Sequence, residues 1–159
     1  MSDNVVSFEV GEDYPELRAS VRRICARYPM EYWAKLDEES AYPSAFVNEL
    51  TESGFLAALI PEAYGGAGMP LRAAAVILEE INASGCVASP AHAQMYIMGT
   101  LLRHGSEEQK QKYLPGIADG SLRLQAFGVT EPTTGSDTTQ LKTRAVRDGD
   151  DYIINGQKV

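Results

Sequence analysis

The chain has 159 residues, of which 44% are hydrophobic and 23% charged, proportions typical of a folded globular protein. Its 14 Lys plus Arg stand against 22 Asp plus Glu, and the net charge of −8 disfavours nucleic acid as a partner, because phosphate binding needs a basic face. No apolar run approaches the roughly 20 residues that a membrane-spanning helix requires, so we expect no membrane segment.

Five amphipathic helices are predicted in the first three quarters of the chain. The first begins at Tyr14, with Pro15 in its first turn and apolar residues at helical spacing. These are Leu17, Val21, Ile24 and Tyr28. The later helices begin at Pro43, Pro70, Ser89 and a capping box of Ser106 with Gln109, and they end near Gly54, Gly85, Gly105 and Gly120. Short loops between them predict a helical bundle.

The hydrophobic period changes after Ser121, which predicts strands. Residues 122–129 alternate as a strand does, and residues 142–146 with 152–154 flank a polar turn, which predicts a hairpin. The predicted fold class is α+β. An all-α helical bundle over residues 1–121 precedes the first strands of a β-domain over residues 122–159.

The segment Phe127–Asp137, FGVTEPTTGSD, has residue types suited to binding anions and heterocycles. Thr130 to Pro132 turns the chain, and Gly135 can take backbone angles closed to other residues, so that N–H groups near Ser136 can converge on a phosphate or carbonyl oxygen. Thr130 and Ser136 add hydroxyl donors. The alternative is that Thr130 caps the turn and Ser136 satisfies its own loop backbone.

Three blocks in fixed order resemble the flavin-dependent acyl-CoA dehydrogenases. The first block resembles the family signature: it consists of TEPTTGSD, followed by Thr143, Tyr152 and the residues Asn-Gly-Gln-Lys at 155–158. Upstream, IPEAYGGAG at 60–68 is similar to the family's PE-x-x-GG-x-G loop, and residues 105–115 are similar to the helix that leads into its flavin-binding strand.

The resemblance implies that the chain is an N-terminal portion of a longer enzyme. It implies a β-barrel or β-sandwich middle domain, of which residues 122–159 are the start, and a C-terminal helical bundle after Val159. In the family the catalytic base is a glutamate on those later helices, so no catalytic residue is assigned and the chain alone is expected to be inactive. Glu131 precedes Pro132 in a turn and is not nominated as the base.

The cofactor implied by the resemblance is FAD. Val129 and Thr130 are implied as donors to the pyrimidine edge of the flavin, and Phe127 as the residue beside the ring, where a tyrosine is frequent in the family. Gly135 and Ser136 are implied as contacts of the FAD pyrophosphate. Ser136 is also implied near the CoA arm of the substrate.

The Met-rich helix from Ala91 to Leu102 supplies the acyl-binding candidates, because the corresponding helix of the family forms the pocket floor. They are Met95, Tyr96, Met98 and Gly99. Packing in the core is the alternative for the methionines, since thioethers fill irregular gaps in either setting.

Other residues are expected to serve structure. Gly65, Gly66 and Gly68 suit a tight turn, with cofactor contact second. His92 and His104 lack metal-ligand spacing, so no metal site is predicted. Cys25 and Cys86 are expected to be free thiols, and the arginines at 18, 22, 23 and 27 a solvated helix face.

The resemblance implies an oxidoreductase of fatty acid metabolism that introduces an α,β double bond into an acyl-CoA thioester and passes electrons to an electron-transfer flavoprotein. A homodimer or homotetramer is implied. The acidic N-terminus lacks an Arg-rich pattern, which favours a cytoplasmic location. Two alternatives stay open: an acyl-CoA oxidase or flavin monooxygenase of the same fold, and a non-catalytic helical interaction module.

Overall fold

The computed structural model describes residues 13–159. The acidic N-terminal segment, from which a cytoplasmic location was inferred, lies outside the described residues. The chain forms two compact units, one ending at Gln125 and the other beginning at Ala126. The predicted order, a helical bundle followed by the first strands of a β-domain, is confirmed.

The first unit is helical. Its α-helices are α1 (Pro15–Cys25), α2 (Met30–Glu38), α3 (Ser44–Glu52), α4 (Leu71–Ala83), α5 (Ser89–His104) and α6 (Glu107–Asp119). Their apolar faces form one buried core, whose largest members are Phe46, Leu50, Leu56, Ile60, Ile77, Ile81, Met98, Leu114 and Ile117. No α-helix within residues 13–159 is both long and apolar enough to cross a membrane.

The capping signals predicted for this unit are present. Ser106 Oγ accepts a hydrogen bond from the Gln109 N–H at 3.2 Å, and Gln109 Oε1 accepts one from the Ser106 N–H at 2.9 Å, which completes the capping box of α6. α6 ends at Gly120, whose φ of 81° lies in the left-handed region. Gly105 after α5 is extended instead, with φ −68° and ψ 145°.

Helix α2 was not predicted from the sequence. The first helix was expected to reach Tyr28, but α1 ends at Cys25. The reason is Pro29, because a proline disfavours helical angles in the residue before it. Pro29 instead precedes α2, and the buried Trp33 of α2 packs edge-on against Phe46 with ring centroids 5.1 Å apart.

Three of the four arginines expected at a solvated face are exposed, whereas Arg18 is partly buried. Arg18 contacts Glu79 at 2.6 Å and Glu80 at 3.5 Å, and Arg22 contacts Glu80 at 2.8 Å. Both carboxylates belong to α4, and Glu80 is buried. The arginines therefore neutralise acidic residues on the neighbouring helix, and the bonds to Arg22 and Arg18 lower the pKa of Glu80.

The two cysteines are free, as expected, and both are buried. Cys86 Sγ lies 3.7 Å from the carbonyl oxygen of Cys25. Burial, together with the neighbouring Cys86, raises the pKa of the Cys25 thiol to about 12. The thiolate is the reactive form, so Cys25 is unreactive at neutral pH.

The second unit contains the predicted hairpin. Strands β1 (Arg144–Asp148) and β2 (Asp151–Asn155) pair antiparallel, with Arg144 opposite Asn155 and Asp148 opposite Asp151. Every residue of both strands is exposed.

The strand expected over residues 122–129 is not formed within the described chain. Alternation alone does not make a strand, because the backbone also needs a hydrogen-bonding partner along its length. Leu122 instead donates its N–H to the Gly116 carbonyl of α6 at 2.8 Å, and Leu122 and Leu124 pack on the helical core.

Candidate functional site

A tight turn follows the apolar residues that open the second unit. Glu131 and Thr134 exchange two backbone hydrogen bonds, of 2.8 Å and 3.0 Å, across Pro132 and Thr133. Gly135 does not take left-handed angles, and a Cβ there would meet Thr130 Cγ2 at 4.0 Å, an ordinary contact. The paired turn already reverses the chain, so the reversal does not need a glycine at 135.

The chain then passes through a short 3₁₀ turn, Thr138–Gln140, which Asp137 caps. Asp137 Oδ1 accepts hydrogen bonds from the Thr139 hydroxyl at 2.5 Å and the Thr139 N–H at 3.2 Å. These bonds stabilise the ionised form and lower the pKa of Asp137. The acid of the TGSD sequence therefore holds its own loop in shape.

Glu131 is buried and is the centre of a hydrogen-bond cluster. Its carboxylate accepts from the Lys142 N–H at 2.7 Å, the Thr143 N–H at 2.9 Å and Lys158 Nζ at 2.9 Å. Hydrogen bonding from Thr143, Lys142 and Lys158 lowers the pKa of Glu131 to about 2. A carboxylate bound so strongly in its ionised form is a poor proton acceptor at neutral pH.

The residues before the turn have their carbonyl oxygens occupied. Lys158 Nζ donates to the Val129 carbonyl at 3.0 Å, and the Val159 N–H donates to the Thr130 carbonyl at 3.0 Å. The backbone N–H groups of Val129 and Thr130 form no hydrogen bond with any residue from 13 to 159. At Val129 and Thr130, the backbone N–H donors are therefore available to a ligand, whereas the carbonyl acceptors are not.

The hydroxyl groups of Thr130 and Ser136 are also free of hydrogen bonds to described residues. Within the described part of the chain, neither Thr130 Oγ1 nor Ser136 Oγ forms a hydrogen bond, so neither caps the turn nor satisfies its own loop. Thr130, Gly135, Ser136 and Phe127 are exposed, Phe127 to 61%, and Val129 is half-buried. Thr130 and Ser136, on the two sides of the Glu131–Thr134 turn, thus have hydroxyl groups available to a ligand.

The acyl-binding candidates divide between two environments on α5. Met95 and Met98 are buried in the helical core, 5% and 0% exposed. Tyr96 and Gly99 are partly exposed, and the Tyr96 ring packs edge-on against His92 with centroids 5.1 Å apart. Among residues 13–159 no group of three or more His, Cys, Asp or Glu side chains could hold a metal ion.

The glycine-rich loop after the short 3₁₀ turn Glu62–Tyr64 folds back tightly on itself. The N–H groups of Ala67, Gly68 and Met69 donate to the carbonyls of Ala57, Ile60 and Ala58 at 3.2, 2.8 and 2.7 Å. A Cβ on Gly66 would lie 2.0 Å from the Ile60 carbonyl oxygen, so this position admits only glycine. The expected tight turn is therefore present.

The sequence predicted no role for Lys158, which is the last residue of the Asn-Gly-Gln-Lys motif at 155–158. The structure brings Lys158 to both sides of Thr130, at the carbonyl before it and the carboxylate after it. The available signal was the acid in the turn, because an acidic side chain placed among apolar residues needs a cationic or N–H partner.

Two family models match this chain. The acyl-CoA dehydrogenase N-terminal domain matches residues 11–121, and the acyl-CoA dehydrogenase middle domain matches residues 126–159. Acyl-CoA dehydrogenases of this family are FAD-dependent.

Similar proteins agree with these matches. The acyl-CoA dehydrogenase FadE12 of Mycobacterium tuberculosis is 40% identical over 96% of this chain and 39% of its own length. An acyl-CoA dehydrogenase structure from Geobacillus kaustophilus has a TM-score of 0.81 and 33% identity over 94% of this chain and 39% of that chain. The prolyl acyl carrier protein oxidase AnaB has a TM-score of 0.76 and 29% identity over 94% of this chain and 40% of that chain.

The chain thus spans about two fifths of the length of the proteins that it matches. Its helical unit, its Pro-Glu-x-x-Gly-Gly loop and its Thr-Glu-Pro turn occur in the order in which the two models follow each other. The chain belongs to the acyl-CoA dehydrogenase family, of which it carries the N-terminal domain and the beginning of the middle domain.

Proposed function

We propose that the complete protein is an FAD-dependent dehydrogenase that introduces an α,β double bond into an acyl-CoA thioester. The observation that carries this proposal is the set of available donors at this turn, namely the backbone N–H groups of Val129 and Thr130 and the hydroxyls of Thr130 and Ser136. The carbonyls of Val129 and Thr130 are engaged by Lys158 and Val159, whereas the N–H groups of these two residues form no hydrogen bond with any described residue. Family membership gives these donors their expected ligand.

The donor set fits FAD. A flavin presents acceptor atoms along its pyrimidine edge, and a pyrophosphate presents only acceptors, so both match backbone N–H groups and hydroxyls. Val129 and Thr130 would donate to the pyrimidine edge, and the exposed Phe127 ring would pack beside the isoalloxazine. Gly135 and Ser136 would contact the pyrophosphate, with Ser136 also near the CoA arm.

When bound, FAD supplies the acceptor for the hydride that leaves the β-carbon of the substrate. The role of Val129 and Thr130 is to stabilise the negative charge that then gathers at the pyrimidine edge, with donors already in place and no reorganisation. The α-proton is taken by a glutamate of the C-terminal helices, by family resemblance. Within this chain Glu131 is committed to its own cluster and takes no part in proton transfer.

The acyl chain is proposed to lie against α5, at Met95, Tyr96, Met98 and Gly99. Tyr96 and Gly99 present accessible surface, which favours them as direct contacts. Met95 and Met98, from within the core, would set the shape of the floor. Replacing Gly99 by Leu in the complete protein is expected to raise KM for long acyl chains more than for short ones.

We also propose that the complete protein is a cytoplasmic homodimer or homotetramer that passes electrons to an electron-transfer flavoprotein. These three statements rest on the family resemblance and on the acidic N-terminal composition. Light scattering of the purified protein tests its assembly, and cell fractionation tests its location. Mixing the reduced protein with an electron-transfer flavoprotein under argon tests the electron acceptor.

The test of the function is anaerobic reduction. Purified complete protein is mixed with a series of acyl-CoA thioesters in the absence of oxygen. The absorption band of the oxidised flavin, at about 450 nm, is followed during the reaction. Loss of this band together with formation of the enoyl-CoA product supports the proposal. An unchanged band with every thioester, in protein that contains FAD, would exclude acyl-CoA dehydrogenation.

A second candidate is an oxidase, which is favoured by the similarity to the acyl carrier protein oxidase AnaB. An oxidase and a dehydrogenase share the reductive step and differ in the acceptor that reoxidises the flavin. Admitting air after substrate reduction separates them. Rapid stoichiometric hydrogen peroxide formation identifies an oxidase, whereas slow reoxidation that an electron-transfer flavoprotein accelerates identifies a dehydrogenase.

A further inference from the structure

Lys158 lies beside the predicted flavin-binding segment and makes two polar contacts there. Its ammonium group donates to the Val129 carbonyl at 3.0 Å and to Glu131 Oε1 at 2.9 Å. Its stem also runs along the backbone, since a Cβ on Gly128 would lie 3.8 Å from Lys158 Cβ and Cγ. One side chain therefore touches the residues on both sides of Thr130.

These contacts engage the hydrogen-bond acceptors of the segment and leave its backbone donors available. The lysine occupies the carbonyl of Val129, the Val159 N–H occupies that of Thr130, and the Glu131 side chain is fixed by Lys142, Thr143 and Lys158. With the acceptors engaged, the N–H groups of Val129 and Thr130 are left as the groups that a ligand meets. Lysine is thus placed to fix the orientation of the donors.

The ammonium also brings charge. Its side chain is 34% exposed, and its partner Glu131 is 4% exposed, so solvent screens the positive charge more than the negative one. A positive charge close to the donors favours negative charge on a ligand held by them, and a carboxylate opposes it. The two members of this ion pair should therefore act on such a ligand in opposite directions.

We propose that Lys158 is a positioning residue for the cofactor, which holds the Val129–Glu131 segment with its donors outward and whose charge stabilises the reduced flavin. The inference rests on the proposed FAD binding. It adds a residue that acts through Val129 and Glu131 and that touches neither substrate nor the reacting atoms.

The test compares Lys158→Gln, Lys158→Arg and Glu131→Gln in the complete protein. For each variant the FAD dissociation constant is measured by titration of apoprotein, and the midpoint potential of the bound flavin by dye equilibration. Lys158→Gln is expected to weaken FAD binding by about tenfold, the effect of losing one charged hydrogen bond, and to make the potential more negative. Lys158→Arg is expected to restore both, and Glu131→Gln to make the potential more positive.

Two further variants keep the test decisive. Arg147→Gln is the control, because it removes a positive charge from the hairpin of the same unit. Among described residues, the Arg147 side chain donates a hydrogen bond only to the Gly149 carbonyl. This variant is expected to change neither the FAD dissociation constant nor the midpoint potential. The double variant Lys158→Gln with Glu131→Gln leaves no unpaired carboxylate, so it stays usable if the single lysine variant fails to fold. It is expected to bind FAD weakly with a nearly wild-type potential.

Each outcome has a distinct meaning. Opposite potential shifts in the two single variants support the proposal. Potentials that shift in the same direction, or not at all, overturn it and leave Lys158 a purely structural residue. Wild-type protein that binds no FAD contradicts the proposed function itself, whereas wild-type protein that binds FAD with the same affinity as Lys158→Gln contradicts only this inference.

Discussion

Ser136 has an exposed hydroxyl that forms no hydrogen bond with any residue between 13 and 159, so it is open to a ligand. Replacing it by Phe in the complete protein should lower FAD occupancy after purification, because a bulky apolar group would displace the pyrophosphate from its donors. Flavin content per protein, from the absorption spectrum, measures this. Ser53→Phe, at an exposed serine after α3, is the control; equal FAD content in both variants would remove Ser136 from the site.

Glu131 gives the second unit a particular response to acid. Its pKa is lowered to about 2 from an ordinary 4.5, so the folded state favours the ionised form. Its contribution to stability is therefore complete above pH 4.5 and is lost as the pH falls toward 2. Unfolding by urea at pH 5 and at pH 3 should show that Glu131→Gln loses less stability over this interval than the wild-type protein. Equal losses in the two proteins would contradict the assignment.

Gly66 is expected to be intolerant of any side chain. A Cβ would lie 2.0 Å from the Ile60 carbonyl oxygen, so Gly66→Ala should destabilise the loop by about 1–3 kcal/mol, as overpacking does. Gly99→Ala is the matched control: it lies within α5 with no atom within 4 Å of a new Cβ, and should be neutral or stabilising by up to about 1 kcal/mol. Amide exchange at Ala67, Gly68 and Met69 reports the loop, and unchanged protection in Gly66→Ala would refute the prediction.

At the scale of elements, α6 depends on its capping box. Ser106→Ala removes the acceptor for the Gln109 N–H and should cost about 1 kcal/mol. Faster amide exchange in the first turn of α6, with α3 unaffected, is the expected readout. Ser106→Asp keeps a capping oxygen and should restore protection; if alanine and aspartate behave alike, the cap contributes nothing.

The elements that the sequence predicted well are those with local chemical signals. The Ser106 and Gln109 box, Pro15 in the first turn of α1 and the polar turn of the hairpin each act within a few residues. Helix α2 was missed because Pro29 was not taken as a boundary. The strand over 122–129 was wrong because pairing depends on a partner elsewhere in the chain, which alternation does not report.

The same division holds for the site. The motif Phe127–Asp137 identified the turn and the donor-bearing residues Thr130 and Ser136, because the residue types themselves supply that chemistry. Gly135 does not use the left-handed region that is open to glycine, because the paired Glu131–Thr134 turn reverses the chain without it. The contacts of Glu131 with Lys142, Thr143 and Lys158 join residues that are 11 to 27 positions apart, and no local pattern shows them.

For the whole molecule, the helical unit and the start of the β-domain are what the acyl-CoA dehydrogenase models describe, over about two fifths of the length of the matched relatives. The division predicted at residue 121 stays a prediction. So do the cofactor and acyl contacts, which depend on the complete protein. The central claim is that the donors around Thr130 hold a flavin dinucleotide.

The most direct test is a titration of flavin-free complete protein with FAD, followed by absorption and by quenching of flavin fluorescence. We expect saturable binding of one FAD per chain with a shifted spectrum, and weaker binding when Thr130 is replaced by Val and Ser136 by Phe together. A correctly folded complete protein that binds no FAD, or that binds it equally well with both residues replaced, would contradict the account.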